Sequence, residues 1–136
     1  MKATLEDWVV GKKWGEKPFK LTRLNENGKY YYGITSDEEQ VGPFLFEEIE
    51  PIPLTPEILE KNGFVIKKKW AQIGNFGNSP LIMWHFVDDP VLKNYKHELE
   101  VHQNDTGKVH VRIPCEYVHE LQHALKLCRI DTKIEL

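Results

Sequence analysis

The sequence predicts an α+β protein. A small N-terminal antiparallel β subdomain, SH3-like in its spacing, covers residues 1–50. A proline connector with a short helix covers 51–63, and an antiparallel sheet of hairpins packed by a C-terminal amphipathic helix covers 64–136. Three observations predict this. The first fifty residues are short strand-forming segments with polar turns every eight to twelve residues. Pro51-Ile52-Pro53-Leu54 then interrupts any regular element, because each proline fixes φ and biases its predecessor to extended geometry. The last long segment changes period from alternation to about 100° per residue, the signature of an amphipathic helix.

In chain order, Phe19 to Leu24 alternates and reads as a strand. Asn25-Glu26-Asn27-Gly28 is a turn, since Asn and Gly accept positive φ cheaply. Lys29 to Thr35 follows as a strand holding Tyr30, Tyr31 and Tyr32, and Ser36-Asp37-Glu38-Glu39 is a second turn. Val41 to Ile49 reads as one strand bent at Gly42-Pro43. Thr55-Pro56-Glu57 opens a helix: Thr55 caps, Pro56 fits the first position and Glu57 favours the positive end of the dipole. Asn62-Gly63 closes it by a left-handed cap.

Phe64 to Ile73 and Leu81 to Val87 read as strands, joined by a loop of residues 74–80 that carries Phe76. Asp88-Asp89-Pro90 is a break. Lys96 to Gln103 and Lys108 to Ile113 form a hairpin whose register can be inferred. Leu99 and Val101 should share a buried face with Val109, Val111 and Ile113. A three-residue loop at Asp105-Thr106-Gly107 then sets Val101 opposite Val111, Glu100 opposite Arg112 and His102 opposite His110, the last two pairs on an outer, solvated face. The terminal helix is expected from Cys115 to Cys128, with Pro114 at its start and Tyr117, Val118, Leu121, Ala124, Leu125 and Cys128 on the buried side. Thr132 to Leu136 is expected to return as an edge strand.

Composition excludes several classes. Hydrophobic residues are 40% of the chain, enough for a core. The net charge of -3 argues against a protein built to coat nucleic acid. No apolar run is long enough to cross a membrane, and the apolar stretch near the start is too short for a signal-peptide core, so a cytoplasmic protein is expected. Two cysteines without a C-x-x-C pattern read as two thiols rather than a disulfide framework. The G-x-x-x-x-G-K-[ST], G-x-G-x-x-G and G-x-S-x-G patterns do not occur.

One motif carries chemistry. His119-Glu120-Leu121-Gln122-His123 matches H-E-x-x-H on a helix, where the two histidines bind zinc and the glutamate takes a proton from metal-bound water. Arg129 stands where the extended motif has its third histidine. Asp131, Glu135 or an upstream histidine could supply a third ligand, but no spacing nominates one. His119 and His123 also lie opposite the Leu121/Leu125 stripe, which would put both rings in solvent. The plainer reading is a solvated polar face with no catalytic residue and no cofactor.

The other candidates concern binding. His102 and His110 would be cross-strand neighbours, as a metal pair or as a polar ladder. His85 alternates with Leu81, Met83 and Val87 and reads as a satisfied, half-buried histidine. Lys67-Lys68-Lys69-Trp70 could meet a nucleic acid, or could simply protect an edge strand. Tyr31, Trp70 and Phe76 complete the candidate binding residues, since exposed aromatics mark recognition surfaces.

Residues 49–64, IEPIPLTPEILEKNGF, and residues 117–125, YVHELQHAL, resemble two hallmark segments of an uncharacterised family of small proteins of Bacteroidetes and their phages. In that family the second segment often reads His-Gln-Leu-Gln-Asn, so the resemblance implies that Glu120 and His123 are replaceable. It implies a phage or mobile-element setting and transfers no activity. The expected function is therefore a non-enzymatic cytosolic binding protein with a protein or small-ligand partner. The alternative is a zinc hydrolase using His119, Glu120 and His123, and the third reading is a weak nucleic-acid binder.

Overall fold

The computed structural model describes residues 4–12, 17–73, 81–87, 90–102, 109–127 and 133–136, with the backbone alone at 109–111. The protein is α+β, with two five-stranded antiparallel sheets. Its described residues form two compact units: residues 1–53 with 117–122 and 136, and residues 54–116 with 123–135.

The first unit carries β1 (Trp8–Gly11), β2 (Phe19–Leu24), β3 (Tyr30–Thr35), β4 (Gln40–Leu45) and β5 (Ile49–Pro51), in the order β4-β3-β2-β1-β5. Val9, Phe19, Leu21, Phe44 and Ile49 make its core, and Phe19 stacks on Phe44 with centroids 4.8 Å apart. Gly33 is dictated by this stack, because a Cβ there would lie 2.5 Å from the Phe19 ring. Asn25–Gly28 is the expected turn: Gly28 has φ +71°, and Asn25 Oδ1 accepts from the Lys29 and Tyr30 N–H groups. The single strand expected over Val41 to Ile49 is instead β4, a 3-10 turn (Phe46–Glu48) and β5. Glu48 explains the break, since its carboxylate accepts from the Leu45 N–H at 2.9 Å and caps the turn. β1 was not legible as a strand; it pairs with both β2 and β5.

The second unit carries α1 (Pro56–Lys61), β6 (Val65–Ile66), β7 (Trp70–Ile73), β8 (Leu81–Phe86), α2 (Pro90–Lys93), β9 (His97–His102) and β10 (Val109–Pro114), with sheet order β10-β9-β8-β7-β6. The α1 signals act as expected: Thr55 Oγ1 accepts from the Ile58 N–H, and Gly63 takes φ +91° just past the end. The strand expected over Phe64 to Ile73 is a hairpin. Lys67-Lys68-Lys69 forms its reversal, closed by Lys67 N–H to the Trp70 carbonyl at 2.8 Å. All three lysines are exposed there, with their charges in water.

The β9–β10 register holds from Val101/Val111 through Glu100/Arg112 to Ile113/Leu99. It fails at the loop end, where His102 faces Val109 and not His110. A β-bulge between Val109 and Val111 is the cause, because one extra residue there shifts the pairing by one. The Asp105-Thr106-Gly107 loop lies outside the described residues.

The terminal helix α3 is Val118–Leu127 rather than 115–128. Pro114 does not open it but ends β10. Residues 115–117 stay extended because the backbone is engaged: Cys115 N–H bonds the His97 carbonyl, Glu116 carbonyl accepts from Leu54, and Tyr117 bridges Pro53. Tyr117, expected on the buried stripe, is exposed, whereas Val118, Leu121, Ala124 and Leu125 are buried. Cys115 is buried, and Cys128 lies outside the described residues.

Residues 133–136 form no strand. Asn62 takes the place of a strand neighbour: its side chain donates to the Glu135 carbonyl at 2.8 Å and accepts from the Glu135 N–H at 2.7 Å. The same Nδ2 donates to the Ile58 carbonyl, so one amide closes α1 and anchors the tail. Asn62→Ala should therefore cost about 1–2 kcal/mol. Urea melts read the cost, and hydrogen exchange should show the Glu135 amide losing protection; unchanged Glu135 protection contradicts this role.

Candidate functional site

Alternation in the second sheet places Leu99 and Val101 on one face and Glu98, Glu100 and His102 on the other. Cross-strand pairing brings His85 opposite Glu98, Met83 opposite both Glu100 and Gln72, Trp70 opposite His85, and Arg112 opposite Glu100. The first face is apolar and buried. The second holds a charged cluster, and it is not the solvated ladder expected from the sequence: Glu98 is 3% exposed and Glu100 9%.

Buried carboxylates need cations and hydrogen bonds. Both find them. His85 Nε2 lies 2.9 Å from Glu100 Oε1 and 3.5 Å from Glu98 Oε1. Arg112 Nε reaches the same two oxygens from the solvent side, at 3.0 Å and 3.9 Å. His102 Nε2 holds Glu100 Oε2 at 3.0 Å. Glu98 Oε2 receives the Tyr95 hydroxyl at 3.1 Å and has Lys93 Nζ at 3.6 Å. The Phe86 carbonyl lies 2.8 Å from His85 Nδ1 and fixes the ring from behind.

Burial pushes the Glu100 carboxyl up, but the hydrogen bonds from His102 and His85, with the charges of His85 and Arg112, outweigh it and hold Glu100 below the usual carboxylate range. The Tyr95 phenol moves up, through burial and then its bond to Glu98. At the end of β9 a second acid behaves like Glu100. Burial pushes Glu116 up, yet the His97 ring at 3.0 Å and the backbone N–H groups of His97 and Lys96 bring it down. The His97 ring itself stacks on Trp84 with centroids 4.3 Å apart. His85 is thus the satisfied, half-buried histidine expected, and His97, without a nameable partner in the sequence, has Glu116.

The candidates fall in different places. Trp70 and His102 lie on the clustered face; Trp70 is 37% exposed and its indole donates to Gln72. His110 belongs to β10, but its expected pairing with His102 is replaced by Val109. Phe76 lies outside the described residues. Tyr31 is in the first unit, half-buried beside Phe46. The first unit also has a cavity of about 320 Å³ lined by Phe19, Val41, Pro43 and Phe44, with Lys17 and Glu39 among its walls.

The H-E-x-x-H helix differs from expectation. His119 is not in solvent; it is 8% exposed, its ring 5.8 Å from that of Tyr117 and nearly parallel to it. Its position one residue into α3 puts it against the chain entering the helix, which a helical wheel cannot show. His123 is half-buried. Glu120 Oε1 accepts from the Tyr117 N–H at 3.1 Å, which makes it a helix cap. Among the described residues, the one group of three potential metal donors is His85, Glu98 and Glu100, so no third donor there converges on His119 and His123. Arg129 and Asp131 lie outside the described residues.

Sequence reasoning missed Glu98, Tyr95 and Lys93 altogether and read Glu100 and Arg112 as surface. The available signal was His97-Glu98-Leu99-Glu100-Val101-His102: two acids share one face of one strand, and once that face is covered they need donors from its neighbours.

No family model, curated protein or solved structure matches this chain. No helix among the described residues is long and apolar enough to cross a membrane.

The lowered carboxyl gives a pH dependence of definite sign. A group whose pKa falls on folding stabilises the fold above its unfolded value, about 4.5 for Glu100, and loses that contribution as pH drops through the folded value. The wild type should therefore lose stability below pH 4.5, and Glu100→Gln should lose less over the same window. Denaturant melts from pH 6 to about pH 3 check this. Glu116, shifted the same way, should leave some slope in the variant; equal slopes in both proteins would remove Glu100 from the account.

Proposed function

We propose that this chain is a non-enzymatic, cytosolic binding protein that recognises a protein partner through the clustered face of its second sheet. One observation carries the reading. Three of the four oxygens of Glu98 and Glu100 are hydrogen-bonded by the chain's own groups and the fourth, Glu98 Oε1, lies 3.5 Å from His85 Nε2, while Trp70, Val65 and Arg112 on that face remain open to solvent. A general base needs a lone pair turned toward substrate. A recognition surface needs the reverse: fixed charges with an aromatic and an arginine ready to be covered.

The order β4-β3-β2-β1-β5, with a 3-10 turn before β5, supports an SH3-like reading of the first unit. The resemblance of residues 49–64 and 117–125 to a phage-associated family supports a mobile-element setting. A host or defence component would be the partner there.

The zinc-hydrolase alternative has the burial of His119 in its favour. The role of Glu120 as a cap speaks against it, since the proton acceptor it requires is bonded to Tyr117. The exposed Lys67–Lys69 turn beside Trp70 supports the weaker nucleic-acid reading, which requires retention on DNA or RNA that falls steeply with salt.

The test is crosslinking in a host extract. Wild type and Tyr31→Ala should yield the same partner, and the folded double variant Trp70→Ala/Arg112→Ala should lose it at least tenfold. Undiminished capture by the double variant, or peptide hydrolysis abolished by Glu120→Gln, overturns the proposal.

A further inference from the structure

We propose that His85, Glu98 and Glu100 form a site for one divalent first-row transition-metal ion, with zinc the best fit, and that the ion competes with the Arg112 guanidinium for the same carboxylate oxygens. This reading does not require the partner-binding proposal, although the ion would sit on the same face and take oxygens that His85 and Arg112 now contact.

The donor geometry comes first. His85 Nε2 and one oxygen of each glutamate lie within 4.8 Å of one another. Two of the separations are 2.9 Å and 3.5 Å. A tetrahedral zinc ion with bonds of about 2.0–2.2 Å sets its ligands roughly 3.3–3.6 Å apart, so small side-chain adjustments suffice.

A second observation concerns the histidine ring. Both of its nitrogens face oxygen acceptors, Nδ1 the Phe86 carbonyl and Nε2 the two carboxylates. A neutral imidazole carries one N–H. With no ion bound, Nε2 donates to Glu100 Oε1; in the tautomer that places the hydrogen on Nδ1, against the Phe86 carbonyl, the Nε2 lone pair turns to an ion between the two carboxylates. Histidines that bind metals are held in this way, with the remote N–H on a backbone carbonyl.

The third observation is the outer layer. The converging oxygens are Oε1 of Glu98 and Oε1 of Glu100. The opposite oxygens are each held from outside, Glu98 Oε2 by Tyr95 and Lys93 and Glu100 Oε2 by His102. Such outer contacts orient carboxylate ligands. Three protein donors leave a fourth position for water. One imidazole with two carboxylates suits zinc better than magnesium, which takes oxygen ligands and keeps its own water.

Arg112 is the competitor. Its Nε sits 3.0 Å from Glu100 Oε1, and its side chain is 53% exposed, so it can turn into solvent when the ion enters. Removing its charge should tighten the site.

Isothermal titration of the untagged, EDTA-stripped chain with Zn2+ tests this. One site per chain is expected, with no heat from Mg2+ at the same concentration. Glu98→Gln and His85→Ala should weaken it at least tenfold, Arg112→Gln should tighten it about tenfold, and His119→Ala/His123→Ala should leave it unchanged. Co2+ should give the visible absorption of a four- or five-coordinate ion in the wild type and in Arg112→Gln. Arg112→Gln removes only a half-exposed contact and keeps the test decisive should His85→Ala fail to fold. Zinc binding no tighter in Arg112→Gln than in wild type, or binding abolished by the His119/His123 pair of substitutions, overturns the proposal.

Discussion

Two carboxylates buried on one face of one strand set the terms for the second sheet. Glu98 and Glu100 point the same way from β9, two residues apart and nearly out of water. Like charges so placed repel, and each also loses its hydration. The face becomes tenable because partners arrive from three other segments: the cations Arg112 from β10 and Lys93 from α2, and the His85 ring from β8, with the His102 ring added from β9 itself. Strand register is thereby fixed. A slip of one residue would send His85 or Arg112 to the opposite face and strand both acids.

The opposite face follows from the same alternation. Leu99, Val101, Ile82 and Trp84 are buried there, and the Trp84 indole donates to the Cys115 carbonyl at 2.8 Å. Trp84 also stacks on His97, whose ring is held by Glu116 just before α3. Each side of the sheet thus has a histidine–carboxylate contact that ties neighbouring segments together. Such contacts restrict the side chains that make them, and groups already held in place lose less entropy in any further contact.

Much of this was legible in the residues. Asn25–Gly28, Thr55-Pro56 and Gly63 act through local chemistry, and local chemistry is readable. Alternation gave the pairing of Val101 with Val111 and of Glu100 with Arg112. What alternation cannot tell is which face is covered. The burial of Glu98 depends on Tyr95 and Lys93, which lie in a segment that reads only as a break. The bulge beside Val109 leaves no local signature, so His102 and His110 were paired by arithmetic. The wheel that put His119 in solvent accounted for the helix's own sides, and Tyr117 lies outside the helix. Helix boundaries failed at Pro114 for a similar reason: long-range pairing with His97 and Leu54 kept residues 115–117 extended.

The central claim is that the cluster holds Glu100 as an anion in spite of its burial. The most direct measurement is a carbon-detected NMR titration of the Glu100 side-chain carboxyl in the metal-free chain. A midpoint below 4.5 is the predicted result. A midpoint above 4.5 would mean that desolvation wins, and the cations around β9 would not do what is ascribed to them.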